Sequence, residues 1–425
     1  MNYLSLSREE LLKEKEALTE CYNSILSEKL SLDMSRGKPE KRQLDLSEGL
    51  LNALSNNADC FSENGTDCRN YGIVDGINEA KKLFADILGV ATENVIVGGN
   101  SSLNMMFDTL MRFMVFGVAK GEKPWAHNEK NIFLCPVPGY DRHFAVCETL
   151  GIEMVNVPMT ENGPDMDIVE ELVKNPDVRG IWCVPKYSNP EGVTYSDETV
   201  KRMAALRPAS KDFRIMWDNA YCIHDLYDEG SKLLNIIDEC EKANNPDMVY
   251  VYTSTSKVSY PGAGVAAMAS SKKNIDFTKS IVTFQTIGHD KLNMLRHVKY
   301  FKDADGVKAY MKKHAEILRP KFEMVVETLD KELSDKGIAS WIKPLGGYFV
   351  SLDVMPGTAK RTVSLCKDAG VVLTGAGATY PYGKDPEDKN IRIAPSFPPV
   401  EDLKDAMRVL CVCTRLAAVE KLLEK

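Results

Sequence analysis

The 425-residue chain carries 61 acidic against 53 basic residues, a formal net charge of −8. That balance argues against a nucleic-acid footprint or attachment to an anionic membrane. With 44% hydrophobic and 27% charged residues the composition is that of a globular protein, long enough for two or three packed units, and no run approaches the ~20 apolar residues of a membrane span.

The N-terminus, Met1-Asn-Tyr-Leu-Ser-Leu-Ser7, has no basic stretch leading into an apolar core, so no secretory signal is read. Ser7-Arg-Glu-Glu10 has the pattern of a capping box, and Leu11, Leu12, Leu18, Tyr22, Ile25 and Leu26 recur at helical spacing, predicting an amphipathic helix to about Leu30. Ser31 to Pro39 breaks that pattern into an extended segment. There Arg36 and Lys38 flank Gly37, where backbone can come close to a partner such as a carboxylate. Asn70-Tyr71-Gly72 leads through Gly76 into a helix over 77–88 and a strand over 95–97. Gly98-Gly99-Asn100-Ser101-Ser102 follows, and then a helix over 103–116. A strand, a Gly/Ser turn and a helix N-terminus present free N–H groups and a favourable dipole to an anion, with hydroxyls to add bonds. The turn is neither a Walker loop nor GxGxxG, so no dinucleotide or nucleoside triphosphate is indicated.

From residue 131 to 221 strands and helices alternate. The strands over 132–135, 153–157, 180–185 and 213–217 are separated by helices over 141–150, 166–174 and 196–206. This pattern predicts an α/β fold, a large doubly wound, mostly parallel sheet with ligand-binding residues at the strand C-termini. Met248 to Tyr252 is a further buried strand, running through Ser254 and Ser256 to Lys257 and the turn Pro261-Gly-Ala-Gly264. A lysine at such a place loses hydration, its charged form is disfavoured, and the neutral amine can attack a carbonyl. Beyond His289 the chain reads as mainly helical, with one long segment over 290–335 broken near Pro320. Strands over 347–352, 371–373 and 390–394 and a closing helix over 400–423 make a smaller α+β unit. The expected division is an N-terminal segment over 1–50 packed on the small unit, a large domain over 51–305 and a small domain over 306–425. Eleven scattered cysteines without CxxC spacing predict reduced, buried thiols and a cytoplasmic protein, and no HExxH or other metal-ligand spacing is present.

Strand-end residues Asn189, Asp218, Tyr221 and Lys257, with the anion turn Gly99 to Ser102, form the set that pyridoxal 5′-phosphate (PLP) requires. Lys257 offers the amine for its aldehyde, and Asp218 a carboxylate to keep the ring nitrogen protonated. Asn189 and Tyr221 offer donors to its phenolate oxygen. The helix N-terminus with Ser101, Ser102 and Ser254 offers a phosphate site, and Tyr140 and Ala220 could cover the two ring faces.

These motifs resemble those of the fold-type I, PLP-dependent aminotransferases of class I/II over nearly the whole length. They comprise Tyr71 with Gly76, Gly99-Asn-Ser-Ser102, Pro138-Gly-Tyr140, Ser188-Asn-Pro-Glu-Gly192, Asp218-Asn-Ala-Tyr221, Ser254-Thr-Ser-Lys257 and Asn390-Ile-Arg392. The resemblance implies that Lys257 bonds the cofactor and then carries the proton, and that Arg392 grips the substrate α-carboxylate as a fork. It also implies that Tyr71 reaches the phosphate of a partner subunit in a homodimer, and that His143 bonds the pyridinium aspartate. One departure is plain, because the arginine usual seven or eight residues after the lysine is replaced by Gly264 and Val265. The wording Ser35-Arg-Gly-Lys-Pro39 and Val184-Pro-Lys-Tyr-Ser-Asn-Pro190 resembles the bacterial aspartate aminotransferases of subgroup Ic, related to the aminotransferase domain of MocR-type regulators. No helix-turn-helix pattern precedes the catalytic part, so an enzyme is expected rather than a PLP-sensing regulator. The implied reaction moves the amino group of L-aspartate to 2-oxoglutarate, with an aromatic amino acid or 2-aminoadipate as the alternative substrate. Arg36, Arg142 and Arg296 are candidates for a distal carboxylate, and Gly37 and Asn189 for other substrate contacts.

Overall fold

The computed structural model describes residues 2–424. Its centre is an eight-stranded sheet in the order Val95–Val97, Ala266–Ser270, Val249–Ser254, Arg214–Asp218, Val178–Cys183, Ile132–Val137, Glu153–Thr160 and Gly163–Pro164. The five strands from Val249–Ser254 to Glu153–Thr160 run parallel. Ala266–Ser270 and the short Gly163–Pro164 run against their neighbours. Both faces of a parallel sheet must be covered, which is why these strands are apolar on successive residues rather than alternate ones. All six residues of Ile132–Val137 and all five of Arg214–Asp218 are buried. The parallel C-termini therefore meet at one edge, and the loops carrying Tyr140, Asn189, Asp218 and Lys257 leave from it.

A three-stranded antiparallel sheet, Ala339–Trp341, Val350–Val354 and Asn390–Ile393, forms the centre of a smaller α+β layer. The helix Val400–Leu423 packs Leu403, Met407, Leu410 and Ala417 against Arg8–Ser27, Ala304–Leu333 and Ala359–Asp368, and it is buried all round from Val409 to Thr414 rather than on one face. The first helix starts at the Ser7–Glu10 capping box, with the Ser7 N–H donating to Glu10 Oε2 at 2.8 Å. Leu32–Asp33 then pairs in parallel with Val371–Val372, so the N-terminal segment is stitched to this layer by helix and strand alike. No described helix is long and apolar enough to cross a membrane.

The sequence pattern misplaces one break. The helical stretch after His289 divides at Lys302–Asp303, between Lys291–Phe301 and Ala304–Leu333, and Pro320 lies inside the second helix. Lys302 takes a φ of +70° and the Asp303 carboxylate accepts from Gly306 N at 2.8 Å, a stop followed at once by a cap. The pattern also passes over the antiparallel strand Ala266–Ser270 and the helix Lys272–Gln285. Alanine and serine fill that strand, and small residues give little periodic signal.

A buried ion pair joins the N-terminal segment to the small layer. Lys321, 1% exposed, sits 2.9 Å from Glu40 Oε2 and donates to Ser396 O at 2.9 Å and Pro398 O at 2.7 Å. Burial pulls the Lys321 ammonium pKa down while Glu40 opposes it. Removing one partner leaves a buried charge uncompensated, so Glu40→Ala is expected to cost about 3 kcal/mol. Scanning calorimetry of the variant should show the loss as a lowered Tm with the helix content retained.

Candidate active site

Lys257 follows the C-terminus of Val249–Ser254, and its Nζ lies 5.0 Å from the Tyr221 ring centroid and 5.6 Å from that of Tyr348. The two rings are stacked 6.1 Å apart. This aromatic corner strips water from the amine, and desolvation lowers the Lys257 pKa. Asp218 opposes the shift and Arg392 adds to it. Burial likewise holds the Tyr221 phenol well above its usual pKa, so the ring presents a neutral O–H.

Asp218 is 3% exposed at the end of its strand. One oxygen, Oδ2, is hydrogen-bonded to His143 Nε2 at 3.0 Å, and Oδ1 is buried without a partner. His143 is held flat on Trp182, centroids 4.2 Å apart and planes 9° apart, with Tyr140 edge-on at 4.9 Å. The Trp182 indole N–H in turn donates to Cys147 Sγ at 3.1 Å. Sequence reasoning found His143 but passed over Trp182 and Tyr348, which read as ordinary core aromatics.

The anion turn lies beside the lysine. Ser101 caps Ser102–Phe116 by accepting from Asn104 N at 3.3 Å, and the amides of Ser102 and Leu103 stand in the first turn without intrahelical acceptors. Ser254 Oγ donates to Ser256 Oγ at 3.0 Å, which donates to Asn100 O at 3.3 Å, linking the lysine loop to the turn. The Gly99 N–H is committed to His289 Nδ1 at 3.2 Å, a contact with no motif to announce it. The missing arginine also has a steric reason. A Cβ on Gly264 would sit 2.7 Å from Asn100 O, and Val265 is buried in the core, so neither position can aim a cation at the turn.

On the opposite side Arg392, 6% exposed, enters from the small sheet. Nη1 donates to Asp141 Oδ1 at 2.9 Å and Asn189 Oδ1 at 3.4 Å, and Nη2 donates to Thr374 Oγ1 at 3.3 Å. Nε is buried without a partner. The guanidinium lies 4.8 Å from the Phe349 ring centroid. A Cβ on Gly37 would come within 2.5 Å of that same ring, so only glycine lets the Arg36–Lys38 backbone pass so close. Ser35 O accepts from Thr374 Oγ1 at 2.7 Å, tying the segment to the arginine.

Not every candidate is gathered in. Tyr71 is 81% exposed and stands apart from the lysine of its own chain, Arg36 and Arg142 are exposed, and Arg296 is half-buried with its Nε unpartnered. Ala220 is half-buried beside Tyr221.

The residues present fit PLP. A buried carboxylate oxygen lacks a donor, a desolvated amine lies by the Tyr221 and Tyr348 rings, and a helix start with bridging hydroxyls is linked to the lysine loop. Such a sheet with such a strand-end lysine and carboxylate defines the fold-type I aminotransferases, a class that uses PLP. A family model for aspartate amino-transferase matches residues 6–425, and the chain belongs to that family. Among relatives, an aspartate aminotransferase of Corynebacterium glutamicum is 49% identical over 399 residues, 94% of this chain and 92% of the relative. The crystal structure of an aspartate transaminase from the same species superposes with a TM-score of 0.97 at 46% identity, covering 99% of both chains. The α-aminoadipate aminotransferase LysN of Thermus thermophilus shares the fold, with a TM-score of 0.73 at 19% identity over 99% and 97% of the two chains.

Glu191, in the loop after Asn189, has Oε2 buried without a partner. Desolvation first, and then Asp353, pushes its pKa up to about 8, with Lys389 opposing. A carboxyl whose folded pKa is raised binds a proton that the unfolded chain releases. Its stabilising contribution is whole below the unfolded pKa near 4.5 and falls away as pH rises through 8. Glu191→Gln should therefore gain in Tm over the parent progressively from about pH 4.5 to about pH 8 and level off above it, in paired thermal melts. A gain independent of pH would refute the buried-acid assignment.

Proposed function

We propose that the protein binds PLP at this site and transfers the amino group of L-aspartate to 2-oxoglutarate, giving oxaloacetate and L-glutamate. The observation that carries the reading is the desolvated Lys257 set between a buried carboxylate with a free oxygen and a buried arginine with a free Nε. The substrate pair follows the C. glutamicum relative named aspartate aminotransferase.

In this reading the cofactor supplies an electron sink, and the protein supplies position and proton transfer. Asp218, with His143 holding Oδ2 and Oδ1 free, would keep the ring nitrogen protonated. Asn189, whose Oδ1 serves Arg392, has its Nδ2 to donate, and Tyr221 donates its O–H. Tyr140 covers one ring face, and Ala220 leaves room on the other. Gly99, Asn100, Ser101, Ser102, Ser254 and Ser256 form the phosphate cradle, relying on amides and hydroxyls. Lys257, favoured as a neutral amine, moves the proton at the substrate Cα. Arg392 pairs with the α-carboxylate through two parallel N–H groups. Arg36, on the segment that Gly37 and Ser35 bring against Phe349 and Thr374, takes the distal carboxylate.

Tyr71 serves a second copy of the chain in a homodimer. Ile287, 59% exposed, precedes Gly288 on the loop that meets Gly72, next to Tyr71 in sequence. Gly288, packed on Gly72, and Lys291, bonded to Gly72 O at 2.9 Å, hold those loops together. The half-buried and buried thiols suit a reducing cytoplasm.

Absorbance is the direct test. Protein loaded with PLP should show a visible band that L-aspartate bleaches and 2-oxoglutarate restores, and Lys257→Ala should lose both responses. Protein that takes up no PLP would sink the site, and bleaching by an aromatic amino acid alone would overturn the substrate. Arg36→Ala should raise KM for aspartate about tenfold or more while leaving a monocarboxylic amino acid nearly unaffected. Equal effects on both would remove Arg36 from the distal position.

A further inference from the structure

Arg392 already has its charge answered inside the chain, and the way it is answered selects one edge of the guanidinium. Five N–H donors lie in a fixed fork. Asp141 and Asn189 both take Nη1, Thr374 takes one hydrogen of Nη2, and Nε is free. The less engaged of the two edges that can offer a carboxylate parallel bonds is therefore Nε–Nη2, where Nε is free and only Thr374 shares Nη2, whereas both ends of the Nη1–Nη2 edge are held. We propose that Asp141 is a positioning residue for substrate recognition. It pins Nη1 so that the Nε–Nη2 edge meets the α-carboxylate of amino acid and 2-oxo acid alike.

The local chain supports this role. Asp141 is the first residue of the helix Asp141–Thr149, where a carboxylate is favoured by the helix dipole. Tyr140 precedes it, and His143, two residues on, reaches Asp218. One helical turn thus sets an aromatic cover, the arginine's orientation and the aspartate's partner together. Asp141 is also two-thirds buried, with 32% of its side chain exposed against 7% for Arg392, so the pair is shielded from the screening that weakens surface bridges. Without it, a buried guanidinium would stand uncompensated whenever substrate is absent.

The opposite possibility is that Asp141 occupies the fork as a competitor, and the two differ in sign. This inference rests on the reading that Arg392 binds the α-carboxylate, so Arg392→Ala is run alongside. The readouts are calorimetric binding of maleate, a non-reacting dicarboxylate, to PLP-loaded protein, and the split of KM against kcat. Asp141→Ala should weaken maleate binding and raise KM for amino acid and 2-oxo acid by about tenfold, with a much smaller change in kcat. Asp141→Asn, which keeps an oxygen for Nη1, should recover part of the loss, and PLP content should match the parent. Should Asp141→Ala fail to fold, Asp141→Ser, suited to a helix start, carries the same expectation. Maleate binding unchanged or tighter in the variant would overturn the proposal. If Arg392→Ala also bound maleate normally, the reading of Arg392 itself would fall; if only Arg392→Ala weakened binding, the positioning role alone would.

Discussion

A carboxylate buried with one of its oxygens unanswered governs the architecture of the site. Taking an ionised group out of water costs several kcal/mol unless donors replace the lost hydration. The protein supplies half of that replacement to Asp218. His143 is locked by its stack on Trp182, and Trp182 by its bond to Cys147, so the donor to Oδ2 is fixed before any ligand arrives. No donor of the chain reaches Oδ1, and the protonated ring nitrogen of the proposed cofactor would meet that need. The parallel sheet makes the arrangement possible, because it delivers Asp218, Asn189, Tyr140 and Lys257 to one edge from separate strands and covers both faces with apolar side chains.

In the proposed phosphate site, anion recognition would work without an arginine in the loop after the lysine. At Gly264 the chain passes within contact of Asn100 O, a closeness that any side chain would prevent. What the site gives up in charge it takes back in geometry. The Ser254–Ser256–Asn100 chain of hydrogen bonds fixes the lysine loop to the turn, and His289 holds Gly99 from behind. Backbone amides at a helix start bind anions through orientation and local dipole rather than net charge. The loss of a formal cation is thus compatible with a phosphate site.

Much of this was legible in the sequence, and the limits have physical reasons. Short unbroken apolar runs located the parallel strands and helical spacing the closing helix Val400–Leu423, and hydroxyls, glycines and a lysine at strand ends marked the chemistry. Ala266–Ser270 escaped because small residues carry no pattern, and the helix break fell at Lys302 because backbone conformation and a cap, not the proline, decide where a helix stops. Contacts distant in sequence were the hardest to read. Trp182 under His143, Tyr348 beside Lys257 and Asp141 on Arg392 are ordinary residues until the fold brings them 39 to 251 positions across the chain. Their roles are positional, and no local motif encodes position.

Lys321, Lys257 and Arg392 show how the same physics is put to different uses. Lys321 is matched by Glu40 and two carbonyls, an arrangement that fastens the N-terminal segment to the small layer. Lys257 is left without a matching carboxylate in contact, so desolvation tips it toward the neutral amine that chemistry needs. Arg392 lies between these cases, paired on one edge and open on the other. Its supports come from every layer: Asp141 and Asn189 from the large sheet's loops, Phe349 and Thr374 from the small layer, and Ser35 with Gly37 from the N-terminal segment. A carboxylate bound there touches the seam where the three parts meet, so the packing that stabilises the fold also sets the geometry of recognition.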